Sequence, residues 1–285
     1  MHAARSLLLC VGLSLTSRAS HAGPWVRDLG HGYLKAGYSR FAADTFVQPD
    51  GSVVRGADYL GQTAHLYGEV GVARSLQAVF NLPFVASRNE VGDVSYINRW
   101  GGDLTAGLEY GLAPGGVPVS VQVLGKLPTY DNADLAEYGP SSALFPAIGD
   151  GQVDLTMLLA VGHGIQLGRF RGWSSGELGY CHRTEWWLGD RSNPERVYID
   201  GIPWSVQLGW SPQHRERDLG WAFVRASGIH GWSQDAITQR FTQLSAGGAV
   251  KLGDTLALEA GYNALISARN AALGRGLSGG LSASF

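Results

Sequence analysis

The amino-acid sequence predicts an all-β protein, an antiparallel up-and-down transmembrane β-barrel of about 12 strands with short periplasmic turns and long extracellular loops. Three observations predict this fold. Segments of about ten residues alternate apolar and polar side chains, as strands with one lipid-facing side do. Glycine (41 of 285 residues) and aromatic residues (10%) are abundant, whereas charged residues make up only 16%. The last alternating segment runs to Phe285, the final residue.

The charge balance excludes several classes of protein. Lysine and arginine number 22, aspartate and glutamate number 24, and the formal net charge is -2. This balance argues against a basic nucleic-acid-binding protein and against a highly charged disordered chain, so no nucleic acid is expected among the partners. The glycines lack the period of three that a collagen requires. No apolar run reaches the roughly 18 residues of a membrane-spanning helix.

The N-terminal region has the pattern of a secretory signal peptide. A short positive region precedes an apolar stretch over 7–15. Ser20 and Ala22 then supply the small residues of a cleavage site. We therefore divide the chain into a signal peptide at 1–22 and an outer-membrane β-barrel domain at 23–285.

The clearest predicted strand lies at 103–112. Leu104 and Leu108 lie on one face of this strand, together with the other apolar residues, whereas Asp103 and Glu109 lie on the opposite face. The same alternation predicts strands at approximately 32–41, 60–72, 76–86, 103–112, 117–127, 151–162, 172–183, 197–210, 219–228, 242–252, 256–266 and 274–285.

The connections between these strands alternate in length. The predicted short turns are 73–75, 113–116, 163–171, 211–218 and 253–255. The predicted long, polar loops are 42–59, 87–102, 128–150, 184–196 and 229–241, and the last connection, 267–273, is shorter. Short turns at one end and long loops at the other are typical of an outer-membrane barrel, and an even strand count places both termini on the periplasmic side.

The last predicted strand, 274–285, alternates apolar residues up to Phe285. A terminal Phe on such a strand resembles the signal that the bacterial barrel-assembly machinery recognises, so we expect that machinery as a partner. This strand must also pair with the first one, because an open sheet edge in lipid leaves backbone polar groups unsatisfied. The expected location is therefore the bacterial outer membrane, where the outer surface contacts lipid and lipopolysaccharide.

Aromatic side chains fall near both ends of the predicted strands, where interfacial girdles belong. The facing of the strand at 219–228 stays open, because Trp221 and Arg225 lie on one side and small apolar residues on the other. The predicted membrane-interface aromatics are Tyr38, Tyr110, Trp186, Trp187, Trp210, Trp221 and Phe285.

Polar faces opposite the apolar ones line the predicted lumen. Their ionisable residues have mixed signs with a slight acidic excess, so they form no ring of like charge that would select ions by sign. A salt-bridge network that fills a narrow barrel explains them equally well. The predicted lumen-lining residues are Lys35, His65, Glu69, Asp103, Glu109, Lys126, Asp154, Glu177, Arg183, Lys251 and Glu259.

The strand number bears on the width of this lumen. Twelve strands lie between the filled barrel of about 8 strands and the open channel of about 16–18 strands. We therefore expect a narrow passage, or one partly plugged by loops or by residues 23–31. Such a lumen favours slow passage of a small solute over general diffusion.

An outer-membrane lipid hydrolase is a further alternative, because twelve strands also suit that class of enzyme. The best candidate pair at the rim, His230 and Ser233, has a weak local context, so no catalytic residue is assigned and no enzyme is expected. Cys181 and His182 are adjacent and point to opposite faces of a strand, so they cannot share one metal site there. No metal and no cofactor are expected.

Short motifs along the first half of the chain resemble a known family. They are Glu69–Val72, Phe80–Val85, Gly125–Thr129 and Gly149–Leu155, in that order. Their sequence and order are similar to those of the transporter-like outer-membrane β-barrel proteins of the phenol-degradation meta-pathway family. The resemblance covers roughly residues 32–160. It implies a porin or importer of small, often hydrophobic or aromatic compounds, and it carries over no catalytic or binding residue.

Together these observations predict an outer-membrane channel or transporter for passive or facilitated passage of a small solute. A structural or surface-interaction barrel with a packed lumen is the alternative, and a lipid hydrolase is a further one. A channel predicts ion conductance or solute flux, whereas a structural barrel predicts neither.

Overall fold

The alternating segments of the sequence form a closed antiparallel barrel. The structure is a computed structural model, in which no helix of the described residues is long and apolar enough to cross a membrane. It describes residues 23–48, 50–91, 93–112, 116–130, 146, 148–149, 151–168, 170–187, 199–214, 217–231 and 239–285. Its strands are β1 (Gly32–Val47), β2 (Val53–Ala73), β3 (Leu76–Val91), β4 (Val94–Gly101), β5 (Asp103–Gly111), β6 (Val119–Pro128), β7 (Gln152–Leu167), β8 (Phe170–Trp187), β9 (Gly201–Ser211), β10 (Gln213–His214), β11 (Arg217–Asp218), β12 (Gly220–Gly231), β13 (Arg240–Lys251), β14 (Leu256–Arg269) and β15 (Ala271–Ser284).

Twelve strands make up the barrel wall. β4 and β5 both pair with β3 and are separated only by Gly102, so together they form one wall strand. β10 and β11 form a separate two-stranded sheet in the connection between β9 and β12. The remaining strands pair antiparallel with their neighbours along the chain. The predicted fold class, an all-β up-and-down barrel of twelve strands, is confirmed.

The barrel closes where β1 pairs with β15. The backbone N–H of Gly32 donates to the carbonyl of Phe285 at 2.9 Å, and the N–H of Phe285 donates to the carbonyl of Gly32 at 3.1 Å. The ladder continues from Tyr33 opposite Ser284 to Val47 opposite Ala271. Closure satisfies backbone groups that an open edge would expose to lipid.

The outer surface of the wall is apolar. Alternate residues of the strands expose large hydrophobic side chains, among them Leu108, which is 50% exposed, and Leu281, which is 54% exposed. The inward residues between them are polar and buried, as Glu109 and Ser282 illustrate. This arrangement is the reverse of a water-soluble sandwich and fits a wall whose exterior faces hydrocarbon.

Two connections that were predicted as long loops are mostly strand. β1 continues to Val47 and β2 begins at Val53, so only a short turn remains of the predicted loop 42–59. The predicted loop 87–102 is likewise occupied by the ends of β3 and β4. Beyond the membrane both faces of a strand meet water, so the apolar–polar alternation that indicates a strand is lost there. Within the first turn, hydrogen bonds from the Ser52 hydroxyl and backbone N–H hold the pKa of Asp50 below its ordinary value.

The turns at the opposite end are short. Ser75, at a positive φ of 59°, is in the connection of β2 to β3, and β7 ends only a few residues before β8 begins. The predicted turn 211–218 contains the β10–β11 hairpin. The predicted signal peptide at 1–22 lies outside the described residues, as does most of the predicted loops 128–150, 184–196 and 229–241.

Most of the predicted membrane-interface aromatics lie on the outer face of the wall. Tyr38, Tyr110, Trp186, Trp210 and Phe285 are exposed on the wall. The side chain of Trp187 is outside the described part of the structure.

Trp221 is a correction to the predicted girdle. It lines an interior cavity together with Phe223 and Arg225, while Ala222 and Val224 are exposed on the outer face. The facing of β12 follows from Arg225, because a guanidinium near the middle of the bilayer costs about 2–4 kcal/mol on the lipid side. The register that turns Arg225 inward turns Trp221 inward as well.

Candidate functional site in the barrel interior

The segment before β1 lies across the short-turn end of the lumen. Pro24 and Trp25 pack against Gly162 of β7 so closely that a Cβ at Gly162 would lie 2.7 Å from both. Further along, Leu29 forms a parallel bridge with Gly71 of β2. Residues 23–31 therefore cross the lumen from β7 to β2, in agreement with the predicted plugging segment.

Arg27 anchors this segment to the wall by two polar contacts. Its side-chain Nε lies 3.0 Å from Oε2 of Glu69, and its backbone N–H donates to Oε1 of Gln77 at 2.9 Å. The guanidinium carbon is also 5.5 Å from the centre of the Tyr33 ring, within the range of a cation–π contact. Tyr67 donates to the second oxygen of Glu69 at 2.5 Å. Glu69 thus has partners on both carboxylate oxygens.

A second ionic group joins β1 to β14. Lys35 Nζ lies 2.6 Å from Oε2 of Glu259, and the Tyr33 hydroxyl donates to the other oxygen of that carboxylate. The rings of Tyr33 and Tyr67 meet edge to face, with centroids 6.2 Å apart. The contacts of Arg27 with Glu69 and Tyr33 (the Arg27 group) are thus continued along β1 into the lumen by Lys35 and Glu259 (the Lys35 group).

Glu109 of β5 is held by neutral donors. Ser120 donates to its Oε1 at 2.6 Å, and Gln77 and Gln122 donate to its Oε2 at 2.8 and 3.3 Å. Glu109 is buried, as are Gln77 and Ser120. Because Gln77 also accepts from Arg27, one side chain connects the segment before β1 to this carboxylate.

Lys126 of β6 lies between two carboxylates. Its Nζ is 2.8 Å from Oδ2 of Asp154 and 3.8 Å from Oδ2 of Asp103. Tyr130 donates to Oδ1 of Asp103 at 2.9 Å, and its own hydroxyl accepts from the backbone N–H of Gly151 at 2.9 Å. The three predicted residues form one cluster, to which the structure adds Tyr130.

Glu177 of β8 pairs with Arg225 of β12. The Nη2–Oε2 distance is 3.0 Å, and Ser205 of the intervening β9 donates to the same oxygen at 2.8 Å. The sequence left the facing of Arg225 open. Since a lone Glu at an interior position requires a partner, a search for an unassigned inward cation would have found it.

His65, Arg183 and Lys251 are the remaining predicted lumen residues. His65 packs over Gly37, where a Cβ would lie 2.5 Å from the imidazole ring. Arg183 stands directly opposite Asp154 in the β7–β8 ladder. Lys251 Nζ lies 3.7 Å from Oδ2 of Asp218, close to the short turns.

An interior cavity of about 270 Å³ lies beside the Arg27 and Lys35 groups. Aromatic rings form part of its wall, and charged or amide side chains form the rest. The lining residues are Tyr33, Lys35, His65, Tyr67, Glu69, Asn81, Gln207, Trp221, Phe223, Arg225 and Glu259. The sequence argument missed Tyr33 and Tyr67, although they continue the inward alternation of Lys35 and Glu69.

His182 and His230, which were considered for a metal site and for hydrolysis respectively, contact other side chains. His182 Nδ1 lies 3.2 Å from Oδ1 of Asp200, and its ring stacks on Tyr180 with a centroid distance of 6.5 Å. His230 stacks on Trp204 at 6.3 Å, and Ser233 lies outside the described residues. Over the described ranges, no group of three His, Cys, Asp or Glu side chains is placed to hold a metal ion.

A closed wall with an apolar exterior and a polar, partly filled interior defines the class: this chain is a bacterial outer-membrane β-barrel. No family model and no curated protein matches the sequence. Among solved structures, the chain is similar to the COG4313 outer membrane channel from Pseudomonas putida F1, with a TM-score of 0.62 and 14% identity, over 91% of this chain and 97% of that chain.

Two further solved structures show weaker similarity. The β domain of the Bordetella autotransporter BrkA has a TM-score of 0.49 and 13% identity, over 90% of this chain and 100% of that one. The CymD monoaromatic hydrocarbon channel has a TM-score of 0.43 and 10% identity, over 91% and 89% of the two chains. The similarity to the COG4313 channel, at a TM-score of 0.62, establishes the shared barrel architecture. Membership of the phenol-degradation meta-pathway family stays a prediction.

Proposed function

We propose that this barrel is a narrow outer-membrane channel for small, neutral, aromatic solutes, and that residues 23–31 constrict its periplasmic end. The observation that carries this proposal is the interior cavity of about 270 Å³ above that segment. A dry cavity of about 150 Å³ holds a benzene molecule. The cavity therefore has room for a single substituted ring.

The chemistry of the cavity wall supports a neutral aromatic solute. Tyr33, Tyr67, Trp221 and Phe223 offer ring faces and edges for offset or edge-to-face contacts. The cations beside them are paired with carboxylates, as Lys35 is with Glu259. Since opposite charges are matched, the cavity offers little net attraction to an ion of either sign.

The experiment compares Trp221→Ala with Trp210→Ala in planar bilayers and in liposomes. Trp221 lines the cavity, whereas Trp210, on the adjacent strand β9, is exposed on the outer face, so it is a matched control. We expect Trp221→Ala to raise conductance and phenol flux, because it widens the cavity. Trp210→Ala should leave both at the wild-type level.

A structural barrel with a packed lumen is the second candidate, and the extent of interior ion pairing favours it. If wild-type protein and Trp221→Ala both show heat-modifiable migration but neither conductance nor phenol flux, the channel proposal fails and the structural barrel replaces it. Equal conductance and equal flux in the two Trp variants would show that solutes take another route.

A further inference from the structure

Four arginine side chains lie on the outer face of the wall, at the end opposite the chain termini. They are Arg40 on β1, Arg88 on β3, Arg99 on β4 and Arg275 on β15, and we call them the arginine band. Three of them are exposed, and the side chain of Arg88 is 42% exposed. With the short turns in the periplasm, as in other barrels of this class, the band is at the extracellular end.

The strand register places the arginine band at two adjacent levels of the wall. Directly paired residues on neighbouring strands have their side chains on the same face. The first level consists of Leu277, Arg40, Gln62, Ala86 and Arg99, and the second of Arg275, Ala42, Leu60, Arg88 and Ile97. With strands about 4.8 Å apart, the band covers ~19 Å of wall from β15 to β4.

The surroundings of the band change in a fixed order along the wall. Tyr38, two residues before Arg40 on the same face, and Phe84, one level below Ala86, are apolar and exposed. Asp58 and Glu90 lie directly opposite each other in the β2–β3 ladder, one level above Arg88. Toward the extracellular ends of β1 and β3 the outer face therefore changes from apolar to basic and then to acidic. Arginines directly beyond the exposed apolar surface stand where the headgroups of outer-leaflet lipids would meet the wall.

Most of the band has no counter-ion among the described residues. Arg88 Nη2 lies 3.1 Å from Oε1 of Glu90. In the part of the chain that the structure describes, no carboxylate forms an ion pair with Arg40, Arg99 or Arg275. These three guanidiniums thus keep their donors for a ligand.

A groove of about 630 Å³ lies at the band. Arg40, Arg88 and Arg275 line it together with aliphatic side chains such as Leu60. The acidic residues Asp44, Asp58 and Glu90 line it as well. The acidic residues of the upper level repel an anion more strongly further from the membrane than at the level of the arginines.

We propose that the arginine band binds the phosphate groups of lipid A, the membrane-embedded part of lipopolysaccharide, in the outer leaflet. Guanidinium groups bind phosphate through paired hydrogen bonds, and several of them in a row match a headgroup with more than one phosphate. The apolar level below the band would contact the acyl chains of the same lipid. This inference concerns the outer surface and is independent of the proposed solute pathway.

The test uses the protein purified in detergent from bacterial outer membranes and freed of lipid. Native mass spectrometry measures binding of diphosphorylated lipid A, dephosphorylated lipid A and phosphatidylglycerol. Each arginine near an anionic headgroup contributes about fivefold in affinity, so Arg40→Gln with Arg275→Gln should weaken binding of diphosphorylated lipid A by about 25-fold. Wild type should prefer diphosphorylated lipid A to both other lipids.

The matched control is Arg74→Gln with Arg217→Gln, which removes two exposed arginines at the short-turn end. Equal binding of lipid A by the two double variants would overturn the proposal. So would equal wild-type affinity for the dephosphorylated lipid, while equal affinity for phosphatidylglycerol would assign the band to phospholipid instead. If Arg40→Gln with Arg275→Gln does not show heat-modifiable migration, Arg99→Gln replaces it, with about fivefold weaker binding expected. Bilayer conductance should be unchanged in all these variants.

Discussion

Arg27 and Glu69 connect the segment before the barrel to the barrel wall. The Nε of Arg27 lies 3.0 Å from Oε2 of Glu69, and the Glu69 side chain is only 3% exposed. Because Tyr67 donates to the other oxygen at 2.5 Å, the carboxylate is held in one orientation toward Arg27. A buried carboxylate that loses its cation keeps its desolvation cost, so this contact strongly favours the closed position of residues 23–31.

Arg27→Gln tests that contact directly. Removing one partner of a buried ion pair costs about 3–5 kcal/mol, and we expect this cost to release residues 23–31 from the lumen. Single-channel conductance should therefore rise, and proteolytic cleavage of the released segment should become faster. Arg74→Gln, in the exposed β2–β3 turn, is the control and should behave as wild type. Unchanged conductance in Arg27→Gln would show that the segment does not close the lumen.

Gly162→Val and Gly164→Val form a matched pair on β7. A Cβ at Gly162 would lie 2.7 Å from Pro24 and Trp25, whereas a Cβ at Gly164 meets nothing within 4 Å. We expect only Gly162→Val to displace the segment, with higher conductance and a wild-type thermal stability of the wall. If both variants conduct alike, the packing of Trp25 against β7 does not control the lumen.

Leu108→Arg tests the outer face of the wall. Leu108 is exposed on β5, so the new charge would face lipid and should cost about 2–4 kcal/mol of unfolding free energy near the bilayer midplane. Leu108→Phe keeps the surface apolar and should stay within about 0.5 kcal/mol of wild type. Refolding titrations in lipid vesicles measure both values. Equal stabilities would contradict the assigned facing of β5.

Glu109 allows a test of the inner face on the same strand. In Glu109→Gln the amide oxygen can accept from Gln77, and the Ser120 hydroxyl can rotate to accept from the amide nitrogen, so the variant should fold. Glu109→Leu leaves the buried Gln77 and Ser120 donors unpaired and should cost about 1–3 kcal/mol for each. The same refolding titration measures both. A Leu variant as stable as the Gln variant would mean that water replaces the carboxylate.

The strand order and the closure of the barrel are predictable from the sequence within the membrane-spanning part of the wall. There, lipid on one side and polar groups on the other force a period of two, as in β5. The same argument fails for 42–59 and 87–102, because the strand ends beyond the membrane have water on both faces. Residues 42–59 and 87–102 therefore show no apolar–polar alternation, and the sequence predicts them as loops.

The interior contacts are less predictable. The alternation assigns Lys35 and Glu259 to the inner face, but only the strand stagger brings them within 2.6 Å. Arg27 lies before β1, in a segment without alternation, so no sequence pattern connects it with Glu69. Trp221 was predicted on the membrane interface but lines the interior cavity. The sequence could not decide between the two, because an aromatic residue near a turn suits the interface and the interior equally well.

The pairing of β1 with β15 also has a kinetic consequence. All other wall pairings join segments adjacent along the chain, so they can form as local hairpins, whereas Gly32 and Phe285 meet only after nearly the whole chain is arranged. This last pairing must bring together strands that are separated by the whole of the preceding sheet. The rate of insertion should therefore depend on this seam more than on any hairpin, and substitutions at the seam should slow assembly without changing the finished barrel.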